Sequence, residues 1–148
     1  FVRENGSMTD THGTLPEDAL EFAHELFDSA RKGHVDFVVS AIDQGVPVDL
    51  TDENGNTLLM LAAYYGHAEL VVSLVDRGAD LDRQNDRGQT PLAGAVFKRY
   101  TDVIELLIGK GADLDAGTPS ARATAQMFEV SLEVAADGAL EGGTPPHA

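Results

Sequence analysis

Apolar and polar positions along the chain form short helical stripes separated by polar, glycine-bearing breaks. Thr14-Leu15-Pro16-Glu17 combines capping-box spacing with a proline suited to the first helical position, so a helix is predicted to begin near Pro16. Behind it Ala19, Phe22, Ala23, Leu26, Phe27 and Ala30 recur at three- and four-residue intervals, one apolar stripe that stops before Gly33. Further on, the apolar run from Thr57 to Tyr65 stops at Gly66 and predicts a short helix. His67 to Arg77 carries Leu70, Val71, Leu74 and Val75 at helical spacing and halts at Gly78, where a left-handed residue can close a helix. A second, antiparallel helix is predicted there. From Gly78 to Thr90 the sequence is polar and rich in Asp, Asn and Gly, the composition of an extended loop.

These stripes repeat. Gly45, Gly78 and Gly111 stand 33 residues apart, as do Asp49, Asp82 and Asp115; Gly33 pairs with Gly66, His34 with His67, Gly55 with Gly88 and Thr57 with Thr90. Aligning Asp52 to Gln84 on Asn85 to Gly117 gives identity at ten of 33 positions. A two-helix unit of this size cannot bury both helices alone, so neighbouring units must stack and share an apolar interior. Ala62, Ala63 and Ala95 are small enough for close helix approach, and Leu59, Leu74, Leu92 and Leu107 are expected to fill the space between layers.

The stretches Gly55-Asn56-Thr57-Leu58-Leu59-Met60-Leu61-Ala62-Ala63 and Gly88-Gln89-Thr90-Pro91-Leu92-Ala93-Gly94-Ala95 resemble the ankyrin T-P-L-H-x-A signature. The match continues into Gly66-His67 and Gly78-Ala79-Asp80. The resemblance, to small stand-alone bacterial ankyrin-repeat proteins, implies an all-α solenoid of stacked helix-turn-helix units with capping helices at both ends. The ankyrin-repeat domain is expected over 14–137, as a cap repeat at 19–51, repeats at 52–84 and 85–117, and a C-terminal cap at 118–137. Residues 1–13 are read as an unstructured N-terminus in which Gly6-Ser7, directly before Met8, is a cloning remnant, and 138–148 as a disordered tail.

The chain also departs from the family pattern. Met60 and Ala93 stand where the signature histidine usually ties the loop backbone, which implies less rigid loops, and Arg99-Tyr100 replaces Gly-His in the third unit. In the C-terminal cap, Ala125, Met127, Phe128, Val130, Leu132 and Val134 are expected to cover the last layer.

Composition narrows the function. Twenty-five Asp and Glu against ten Lys and Arg leave a formal charge of −15. Such a charge repels phosphate backbones and anionic membranes, and it favours a basic partner if it does more than keep the chain soluble. The 148 residues contain no cysteine, which removes disulfides, thiolate metal sites and thiol nucleophiles. Apolar stretches such as Leu58 to Tyr65 are far short of a membrane span, and a cytoplasmic monomer is expected.

Five histidines raise the question of metal, but His34 and His67 match the structural Gly-His of the resemblance and lack a third ligand. Glu21, His24 and Glu25 read as a solvated helix face. The loop carboxylates Asp49, Asp52, Glu53, Asp80, Asp82, Asp86, Asp113 and Asp115 recur from unit to unit, as turn-stabilising residues do and a catalytic pair does not. With no phosphate-cradling loop and no activated nucleophile, neither catalytic activity nor a cofactor or metal is expected.

What the resemblance leaves open is a binding groove between the loop tips and the ends of the first helices. Carried over position by position, it comprises Arg31 and Lys32, Tyr64 and Tyr65, and Phe97 and Lys98 on helices, with Glu53, Asn54, Asn56, Gln84, Asp86, Arg87 and Gln89 on loops. Aromatic residues and Arg dominate binding energy at protein interfaces, so a protein partner is expected here. The alternatives are an acidic inhibitor or immunity-type protein that neutralises a basic partner through its loop carboxylates, or, by resemblance alone, an accessory factor in an oxidative-stress response.

Overall fold

The structure, a computed structural model, describes residues 17–130 and 132. The capping residues Thr14 and Pro16, the N-terminal remnant, Val134 and the tail from Gly138 lie outside the described residues. Within them the chain forms α1 (Glu17–Lys32), α2 (Val35–Asp43), α3 (Leu58–Tyr64), α4 (Ala68–Asp76), α5 (Pro91–Lys98), α6 (Thr101–Gly109) and α7 (Ala121–Phe128). Helices α1, α3, α5 and α7 pack side by side as one layer, and α2, α4 and α6 form a second layer behind them. Each successive pair is one turn of the solenoid.

The inner helices begin alike because their caps are alike. Thr57 Oγ1 accepts the Met60 amide, Thr90 Oγ1 the Ala93 amide and Ser120 Oγ the Ala123 amide, at 3.0, 3.1 and 3.1 Å. Each cap satisfies an amide that the first helical turn leaves free, worth about 1 kcal/mol. Ser120 therefore opens a fourth inner helix.

Between the layers, Leu59, Leu74, Leu92, Leu107, Ala62 and Ala95 are fully buried. The alanines bring α3 and α5 close, and the leucines fill the space that the two layers enclose. At the C-terminal end the burial differs from the sequence expectation. Ala121, Thr124 and Ala125 are the buried face of α7, and Val130 and Leu132 are partly buried against the core. Met127 and Phe128, expected to cover the last layer, are 60% and 39% exposed. The reason is geometric: Met127 lies to the side of the face that Ala121, Thr124 and Ala125 bury, and Phe128, in line with that face, stands at the last position of the eight-residue helix, where its ring meets Phe97.

Candidate partner-binding groove

The loops are built by side chains that mimic backbone. Asp52 Oδ1 accepts the amides of Asn54 and Asn56, both at 2.9 Å, and one unit later Asn85 Oδ1 accepts those of Arg87 and Gln89 at 2.9 and 3.0 Å. The two turns are joined across units: the Asp86 amide donates to Asn54 O at 3.0 Å, and Asn85 Nδ2 donates to Asn56 Oδ1 at 2.8 Å. Without the signature histidine, the loops carry this other anchor.

Carboxylates on the opposite turns do the same work. Asp49 Oδ1 accepts the Asp80 amide at 2.9 Å and Asp82 Oδ1 the Asp113 amide at 2.8 Å, each linking successive units. A turn-stabilising role for these aspartates is thus seen directly.

Fixed by these loops and by the stacked helices, the C-terminal ends of α3, α5 and α7 form a row of aromatic rings. Tyr65 stands edge-on to Tyr64 at 5.4 Å, Tyr64 stacks on Phe97 at 6.5 Å with planes 7° apart, and Phe97 meets Phe128 edge-on at 5.3 Å. Tyr64 and Phe97 occupy the same register, 33 residues apart, which is why their rings run parallel. Gly94 makes room for this arrangement. A Cβ there would lie 3.2 Å from both Met60 Cε and Tyr64 Cδ1. Tyr65 and Phe97 remain 43% and 48% exposed, far more than core aromatics. Lys98 Nζ sits 5.0 Å above the Tyr64 ring, in reach of a cation–π attraction.

Three hollows follow the same edge of the stack. The first, of about 530 Å³, is framed by Leu20, His24 and Phe27 of α1 with Asp52 and Glu53 of the loop. The second, of about 230 Å³, brings together Arg31, Asn54, Asn56, Tyr64, Tyr65, Arg87 and Gln89. A third, of about 250 Å³, lies between Gln89, Phe97, Pro119, Met127 and Phe128.

Of the positions carried over from the resemblance, most therefore converge. Asn56 and Gln89 line the middle hollow but spend their side chains on the Asp52 and Asn85 turns. Arg31 lines two hollows and lies 3.6 Å from Asp52. Lys32, Gln84, Asp86 and Lys98 line none of the three, and Lys98 meets the groove only through the Tyr64 ring. Lys32 is engaged 2.9 Å away by Asp28, whose carboxyl it holds below the ordinary value by that hydrogen bond, against the opposing effect of burial. The Asp86 carboxylate is turned toward Gly55. Sequence reasoning missed Met127 and Phe128 as groove residues, and also Leu20 and Phe27. Their signal was apolarity at helical spacing, which core residues share.

Among the described residues, no group of three or more His, Asp or Glu is placed to hold a metal ion, and no helix is long and apolar enough to cross a membrane.

Two comparisons with known proteins bear on this arrangement. A family model described as ankyrin repeats (3 copies) matches residues 26–118, well over half of the chain. A Pseudomonas aeruginosa protein named for its ankyrin repeats is 41% identical over 59 residues, which make up 39% of this chain. The match spans 34% of that relative, about a third of its length.

Proposed function

The chain belongs to the ankyrin-repeat family, and from that premise we propose that it is a non-enzymatic module that captures a partner protein along the groove at the ends of α3, α5 and α7. Ankyrin repeats serve in general as protein–protein interaction modules. The observation that carries the reading to this surface is the row Tyr65, Tyr64, Phe97 and Phe128, whose rings are ordered against one another while Tyr65, Phe97 and Phe128 stay exposed and Tyr64 is half-buried between them. Contiguous exposed apolar surface rimmed by polar groups is the mark of an interaction site. Rigid aromatics lose little entropy on docking and are the residues whose truncation most often costs 2 kcal/mol or more, at about that order.

The same proposal takes the repeat domain as residues 14–137 and the chain as a cytoplasmic monomer. Neutralisation of a basic partner by the loops finds less support. Asp49, Asp52, Asp80, Asp82 and Asp113 already accept backbone amides, so reorienting them toward a partner would break turns.

The test is capture of a binding partner by the chain carrying Tyr64→Ala, Tyr65→Ala and Phe97→Ala, with circular dichroism as the control for folding. Loss of capture with helicity retained is expected. Capture that survives the triple substitution in a folded protein assigns binding to another surface.

A further inference from the structure

The distribution of ion pairs points to the chemistry of the groove's partner. Carboxylates outnumber cations by 25 to ten in this sequence, so every Lys and Arg has ample choice of a counter-ion. Arg31, Lys32, Arg77, Lys110 and Arg122 take one, at 2.8 to 3.6 Å. Among the described residues, Arg83, Arg87, Lys98 and Arg99 do not. Three of these four surround the aromatic row. Arg87 lines the hollow beside Tyr64 and Tyr65, Lys98 lies over the Tyr64 ring, and Arg99 donates to the Phe128 carbonyl oxygen at 2.6 Å.

Lys98 and Arg99 also sit at the C-terminal end of α5, where a cation complements the helix dipole. That explanation does not reach Arg87, which stands in a loop and lines the hollow. Carboxylates are close in sequence, since Asp86 precedes Arg87 and Asp102 follows Arg99 by three residues, yet neither pairs with the groove cations. The groove is thus a cationic, aromatic strip on an acidic molecule.

We propose that the groove takes a segment of a partner protein in which Asp or Glu side chains flank an aromatic or large aliphatic anchor. The inference rests on the groove reading above and gives its partner a chemistry. The anchor packs among Tyr65, Phe97 and Phe128, and the carboxylates meet Arg87 and Lys98. Net charge opposes such a segment at long range. With a screening length of about 8 Å at physiological salt, however, the nearest cations govern it once it is seated. Recognition of this kind gives a modest association rate and selectivity from local charge, because like charges elsewhere on the surface reject acidic chains that lack the anchor.

The experiment selects binders to the full chain from a library of randomised peptides about twelve residues long, and measures affinities of synthetic copies by fluorescence anisotropy. Acidic peptides with an aromatic or Leu anchor are expected. Their affinity should fall about tenfold on Arg87→Glu with Lys98→Glu, a change of about 1.4 kcal/mol, and be unchanged by Arg83→Glu. Peptides with their carboxylates replaced by Lys should prefer the charge-reversed protein to the native one. Recovery of basic peptides whose binding is lost on Phe97→Ala would overturn the acidic partner and leave the groove reading standing. Acidic peptides whose binding survives both the charge reversal and Phe97→Ala would overturn both.

Discussion

The Nε2 atom of His67 lies 2.6 Å from the backbone carbonyl oxygen of Arg31, 36 residues earlier and one unit away. A carbonyl only accepts, so Nε2 carries the hydrogen and donates. Arg31 is in the last turn of α1, where carbonyls have no partner within the helix. The histidine therefore caps the helix of the preceding unit and fastens two layers together. His67→Ala is expected to cost about 1 to 3 kcal/mol, the range for leaving a partly buried acceptor unpaired, in urea unfolding at neutral pH. His34 stands one repeat earlier, exposed, and His34→Ala should fall within about 0.5 kcal/mol of the native chain. Equal losses at the two positions would remove the inter-unit role.

The same ring explains why Gly33 cannot gain a side chain. Its φ of +76° already favours glycine, and a Cβ there would stand 2.5 Å from His67 Nδ1. Gly78, at φ +91°, has nothing within 4 Å of that position. Gly78→Ala thus incurs backbone strain alone, whereas Gly33→Ala adds overpacking of about 1 to 3 kcal/mol. Chemical denaturation of the two variants should separate them by that amount, with Gly33→Ala the weaker; indistinguishable midpoints would mean that the His67 ring moves aside freely.

Arg99 takes the place that Gly33 and Gly66 hold in the earlier units, and keeps their left-handed backbone at φ 64°. A non-glycine residue pays about 1 kcal/mol for that conformation. Its guanidinium is used on the Phe128 carbonyl, which ties α5 to the end of α7. Both Arg99→Ala and Arg99→Gly remove the hydrogen bond, but only glycine relieves the strain. Arg99→Gly should therefore unfold at a higher temperature than Arg99→Ala, by the equivalent of about 1 kcal/mol. The reverse order would place residue 99 in another backbone conformation in solution.

How far the sequence discloses all this depends on what repeats. The helices that bury Leu59, Leu74, Leu92 and Leu107 follow from apolar spacing and glycine stops, and the 33-residue period places them in layers. The Tyr64–Phe97 stack is also legible, because residues one period apart share a register. The loop anchors were less so. Asp52 and Asn85 are equivalent, but Asp and Asn occur throughout these loops, and only the geometry shows which of them reach back to amides. At α7 the period breaks. Ser120 follows Thr90 by 30 residues instead of 33, so Met127 and Phe128 had no template and their apolarity read as core. Ion pairing was not legible at all. Whether Arg87 finds a carboxylate depends on distances between turns of different units.

Acid should reveal the outer layer's link between the first two complete helix pairs. Asp43, at the end of α2, receives hydrogen bonds from Arg77 at 2.9 and 3.2 Å. These bonds first, and the Coulombic attraction with them, hold the Asp43 carboxyl below its ordinary value of 3.8 against the opposing effect of burial, and they raise Arg77 in turn. A carboxyl lowered in the folded state stabilises the fold wherever it is charged. The contribution is fully present above 3.8, the unfolded value, and is lost as pH falls through the lower folded value. Both partners are exposed enough for solvent to screen the pair, so the effect is small at neutral pH. Asp43→Asn should lower the melting temperature slightly near pH 7 and flatten its decline below pH 4 relative to the native chain. Thermal melts from about pH 2 to 7 decide it: the two curves should converge at the acid end, and curves that stay parallel throughout would show that the Arg77 pair does not form in solution.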